Sequence, residues 1–120
     1  MIAGRYQLVS HGTFYGDHYK STSDYLEGEI SYSEDGSLSI FILFKKEPSE
    51  LNELLSYVGT FEKTSETKLV HHIHLCNQTK RNKTSEERSF TKIEDHLILG
   101  CPLDDHSRFE AVWKFIPKSS

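Results

Sequence analysis

Apolar and polar residues alternate with a period of two over most of this chain, which commits it to strands whose side chains point to opposite faces in turn. Ile2, Gly4, Tyr6 and Leu8 share one face of the first segment, with Ala3, Arg5, Gln7 and Val9 on the other. Leu26, Gly28, Ile30 and Tyr32 alternate with Glu27, Glu29 and Ser31, a half-buried strand pattern. Asp35-Gly36 supplies the positive φ angles of a tight hairpin, so a partner strand is expected over residues 37–45. Further strands are expected over residues 57–63, 68–76, 85–92, 97–101 and 108–116. Residues 10–25 are polar and irregular, and predict a flap or lid. One short helix is expected over residues 48–56, where Pro48 suits the first turn and Leu51, Leu54 and Leu55 recur at helical spacing.

About eight short strands with tight connections predict an all-β fold, a single antiparallel up-and-down barrel closed on itself. The length of 120 residues gives one domain, residues 1–120, because halves of that size would rarely hold a core of their own. Lys and Arg total 14 against 18 Asp and Glu, a net charge of −4 that argues against coating a nucleic-acid backbone. Cys76 and Cys101 form neither a CxxC pair nor a disulfide framework and read as thiols in a reducing compartment. The chain opens without a basic leader or a long apolar stretch, and its longest apolar run, residues 40–44, is too short for a membrane span. A cytoplasmic protein, monomer or homodimer, with no membrane insertion is the expectation.

Several segments, in order, resemble the lipocalin-like domain family of the calycin group. Gly4-Arg5-Tyr6-Gln7-Leu8-Val9-Ser10 is similar to the group's first-strand Gly-x-Trp motif, with Tyr6 in the tryptophan's place. Residues 28–36 resemble the family's second strand and hairpin, and Tyr57-Val58-Gly59-Thr60-Phe61 its Tyr-x-Gly-Thr-aromatic strand. Val70-His71-His72-Ile73 looks like the paired-histidine strand. Arg88-Ser89-Phe90 looks like the Arg-x-aromatic strand, and Val112-Trp113-Lys114 like the closing one. The resemblance runs from Ile2 to Trp113 and implies a small barrel with an internal cavity.

The densest chemistry lies in His71-His72-Ile73-His74. His71 alternates with Leu69, Ile73 and Leu75, so it is the histidine expected to point inward, as a ligand contact, a general base or a hydrogen-bonded core residue. A register error of one residue would exchange it for His72 or His74. Those two share the other face with Cys76, a spacing a metal could use, but nothing supplies the remaining ligands, and surface histidines with no metal and no cofactor are expected. Arg88 shares a face with Phe90. Inside, it would either anchor an anionic head group or pair with a glutamate such as Glu62 or Glu86. Tyr6, Tyr32 and Tyr57 could add hydroxyls, and Trp113 reads as core or cavity wall. His11, Tyr15 and His18 fall in the expected flap and could line a mouth. Lys80-Arg81-Asn82-Lys83 reads as a solvated loop.

The candidate ligand site is therefore His71, Arg88, Tyr57, Tyr32, Phe61, Ile73, Phe90 and Trp113, with further walls from Leu26, Ile30, Leu38 and Ile40. The expected function is binding of one small apolar or amphipathic molecule inside the barrel, with no nucleic-acid partner. The alternative is a small barrel enzyme of isomerase, cyclase or lyase type, with His71 as acid/base and Arg88 stabilising an anion. A filled barrel acting through its surface is the third reading.

Overall fold

The computed structural model describes residues 2–22, 25–45 and 52–117. Among these residues nine strands follow one another: β1 (Gly4–Tyr15), β2 (His18–Thr22), β3 (Tyr25–Tyr32), β4 (Ser37–Lys45), β5 (Asn52–Lys63), β6 (Lys68–Cys76), β7 (Thr84–Ile93), β8 (His96–Pro102) and β9 (Ser107–Ile116). All neighbours are antiparallel. From β3 to β9 each strand pairs with the next, and β1 pairs with both β3 and β9. Eight strands thus close a barrel, and β2 is an extra strand that, among the described residues, is hydrogen-bonded to β1 alone. No described helix is long and apolar enough to cross a membrane.

The alternation that defines the strands also fills the barrel. Tyr6, Ile30, Leu69, Ile73 and Leu97 are almost fully buried and belong to one continuous core. At the Asp35 hairpin, Gly36 takes φ +93° while the Asp35 carboxylate accepts the Ser37 amide, as the dipeptide predicts.

Two expectations fail. Residues 10–25 hold strands rather than a flap: β1 continues to Tyr15, and a turn with Gly16 at φ +62° leads into β2. The cause is a bulge at Val9, where the β1–β9 register slips between Leu8 and Ser10. Tyr6 points inward before it, and His11 and Thr13 after it, so a strict period-two reading loses the strand at that residue. The helix expected over residues 48–56 is also overturned where it is described. Residues 52–56 are strand, paired from Asn52↔Lys45 to Ser56↔Phe41, and the rest lies outside the described residues. Leu54 and Leu55 accordingly take opposite faces, one exposed and one half-buried, because the β4 ladder outweighs a weak helical preference. The one helical turn among the described residues is a 3-10 turn at Thr79–Arg81.

Candidate functional site

His71 is the inward histidine. It lies on β6 opposite Phe61 of β5 and Glu86 of β7, and only 1% of its surface is exposed. Both ring nitrogens are engaged: Nε2 lies 2.6 Å from the Tyr32 hydroxyl and Nδ1 2.7 Å from the Tyr57 hydroxyl. Burial, and then the neighbouring Arg88, push its pKa down to about 3, so the ring is neutral at physiological pH. Burial likewise pushes the Tyr57 phenol up to about 12, and the Tyr32 phenol well above its usual value. Tyr32 is held from behind by Phe61, edge to face at 4.8 Å, and by Tyr6 at 6.5 Å.

Arg88 faces inward beside Phe90 and pairs with Glu86, the second of the two glutamates proposed from sequence: its Nη2 is 2.5 Å from Glu86 Oε1. That carboxylate is shared. Arg81 donates to both of its oxygens, at 2.8 and 2.6 Å, and lays its guanidinium over the Tyr57 ring at 5.1 Å. Burial alone would raise the Glu86 pKa, but the two arginines outweigh it and hold the group below the usual carboxylate range. Within this trio, two guanidinium groups and one carboxylate carry one net positive charge.

These groups border a cavity of about 120 Å³. Tyr57, His71, Arg81 and Arg88 form its polar end, and Ile40, Ile42, Leu55, Leu99, Ala111 and Trp113 its apolar wall. Tyr25 and Phe109 also line it, their rings 5.6 Å apart, and the buried His11 ring stacks on Tyr25 at 4.5 Å. Arg81 and Arg88 retain 23% and 19% side-chain exposure, so the polar end lies nearest solvent. Trp113 is 2% exposed, and its indole N–H has no hydrogen-bond partner among the described residues.

Of the expected ligand residues, His71, Arg88, Tyr57 and Trp113 meet at this cavity, as does Ile40. Tyr32 and Phe61 stand one layer back, while Ile73, Phe90, Ile30 and Leu38 are packed core. The side chain of Leu26 lies outside the described residues. Tyr15, 55% exposed, and His18 sit at the tip of the β1–β2 hairpin rather than at the cavity. Cys76 does not share a face with His72 and His74. The β5–β6 register slips between Val58 and Gly59, leaving His74 unpaired and turning Cys76 inward opposite Tyr57. His72 instead bonds Ser85 at 2.8 Å on the outside of the barrel.

Arg81 is the residue the sequence reading missed. In a run of polar and basic residues nothing marks it as inward, yet the 3-10 turn folds it back over Tyr57, and Asn82 caps the Cys76 amide at 2.6 Å. The period of five between Arg81 and Glu86 across a strand start carried no usable signal.

Fold and site together define a closed eight-stranded antiparallel barrel with a small interior cavity, polar and cationic at one end. No protein-family model matches the chain, and no curated protein is similar to it in sequence.

Proposed function

We propose that this chain is a lipocalin-like binding protein that holds one small molecule in the barrel interior, in a reducing cytoplasm that keeps Cys76 and Cys101 as thiols. The observation that carries the reading is the cavity itself, which brings His71, Arg88, Tyr57 and Trp113 from four separate strands to one volume with an apolar wall and a polar end. Its size limits the occupant. Apolar cavities of roughly 120 Å³ in other proteins take a single benzene. A compact amphipathic molecule matches that size.

Binding is favoured over catalysis by His71. A general base needs a lone pair free to take a proton and a pKa near the working pH. Here both ring nitrogens are held by tyrosines and the ring resists protonation down to about pH 3.

Native mass spectrometry of the purified protein, against its denatured mass, tests the proposal. A low-mass adduct present in the wild type and absent from Ala111→Leu, whose larger side chain would occupy the cavity, is the expected result. An adduct retained in that variant would place the molecule elsewhere and overturn the assignment.

A further inference from the structure

The hydrogen-bond inventory of the cavity selects the chemistry of its occupant. A neutral imidazole has one N–H and one lone pair. Tyr32, His71 and Tyr57 therefore own three exchangeable protons and make two hydrogen bonds among themselves. One hydroxyl proton is left over. If Tyr57 donated to Nδ1, the surplus proton would be that of Tyr32, which is 1% exposed and packed between Phe61 and Tyr6 with no further hydrogen bond. In the other arrangement Tyr32 donates to Nε2, Nδ1–H donates to Tyr57, and the Tyr57 hydroxyl proton turns toward the cavity that Tyr57 lines. A buried donor left unmade is costly, so the second arrangement is the stable one.

Trp113 also lines the cavity, and its buried indole N–H, packed behind the wall, has no acceptor among the described residues. Arg81 and Arg88 contribute further N–H groups beyond those spent on Glu86 and on the Glu87 carbonyl. The strongest acceptors among the described lining side chains are spent: both Glu86 oxygens are taken by guanidinium groups and the His71 lone pair by Tyr32. The described polar end therefore offers donors and, in the Arg81–Glu86–Arg88 trio, one surplus positive charge, a match for an anionic acceptor.

We infer that the cavity binds a small monocarboxylate, its oxygens accepting from Tyr57 and the arginine pair and its short apolar body lying against Ile40, Leu99, Ala111 and the Trp113 ring. This rests on the interior-binding reading and narrows it to a ligand class.

The test uses three probes matched in size, butyrate, butyramide and butylammonium, with sodium chloride at equal ionic strength as control. Trp113 is the single tryptophan of the chain, so its indole N–H is one unambiguous resonance in a 15N-labelled sample. Butyrate is expected to shift that resonance saturably, binding at least tenfold more tightly than butyramide, with no effect from butylammonium or chloride. Arg88→Gln and Tyr57→Phe should each reduce the preference for butyrate. Tyr32→Phe should leave that preference in place, because a ring proton moved to Nε2 would be a buried donor without an acceptor, so Nδ1–H still donates to Tyr57.

Equal binding of butyramide or butylammonium, or displacement by chloride alone, would overturn the carboxylate assignment while leaving the cavity as a binding site. So would silence to all three probes in a protein whose native mass carries an adduct that Ala111→Leu lacks. Silence to the probes with no adduct at all would remove the interior-binding reading itself, and this inference with it.

Discussion

A neutral histidine between two phenols is a device for fixing proton positions. With His71 buried and both nitrogens engaged, the proton count assigns Nδ1–H, and long-range 15N correlation should report that tautomer; an Nε2–H signal would reverse the donor assignment at Tyr57. The same burial links this residue to stability. The ordinary histidine pKa is about 6.5 and the folded value about 3, so below pH 6.5 the unfolded chain takes up a proton that the native chain refuses. Stability present above that pH is lost as pH falls toward 3. Between pH 7 and pH 5 the His71 share of the loss is about 2 kcal/mol. Urea unfolding of the wild type and of His71→Gln at both pH values isolates it: the variant should lose less on acidification by about that amount. Equal losses would mean that His71 is protonated in the folded state.

At the scale of the element, the barrel depends on where alternation is interrupted. Val9 and His74 are each one residue out of step with the partner strand, and each interruption changes which residues enter the interior: His11 and Thr13 after the first, Cys76 after the second. Gly59 makes the second bulge possible. A Cβ there would collide with the His72 backbone carbonyl, so β5 and β6 approach each other more closely than any side chain allows. Gly59→Ala should therefore destabilise the barrel by about 1–3 kcal/mol, seen as a lower urea midpoint at unchanged slope. An unaltered midpoint would show that the strands can separate there at no cost. These interruptions also explain what the sequence withheld. The bounds of the strands from Lys68 to Ile116 were legible within a residue or so, because their alternation is regular except at His74 and their turns carry polar residues. A bulge is a relation between two strands and leaves no mark on either alone, so β1 beyond Val9 read as a flap and Cys76 fell on the wrong face. Leu54 and Leu55 read as helix for a similar reason: their strand is set by pairing with β4. His71, Arg88, Tyr57 and Trp113 were legible from face and apolar company, whereas Arg81 was not, since its role comes from a backbone turn rather than a period.

For the whole molecule, a barrel of eight strands sits at the size where the interior is either filled by side chains or keeps room for one small ligand. This one does both. Tyr6, Tyr32, Leu69, Ile73 and Leu97 pack one part of the interior to near-zero exposure, and the part that Ala111 faces keeps a cavity of about 120 Å³. Cavity lining forgoes packing contacts, at about 24 cal/mol per Å³ in the best-studied case, so the volume represents up to about 3 kcal/mol of stability not realised. Ala111 is a small residue on β9, flanked on the same face by Phe109 and Trp113. A larger apolar side chain there would recover part of that contact area. Ala111→Leu should raise stability by about 1–2 kcal/mol, with the melting temperature up by several degrees, while excluding the ligand. The two readouts must move in opposite directions, because filling the volume removes the site by the same atoms that improve the packing. A variant that melts lower yet still binds would show that position 111 does not project into the cavity. One that melts lower and no longer binds would mean that the added side chain overpacks the wall, and Ala111→Val, smaller by one methylene, should then restore stability and keep the ligand out only in part.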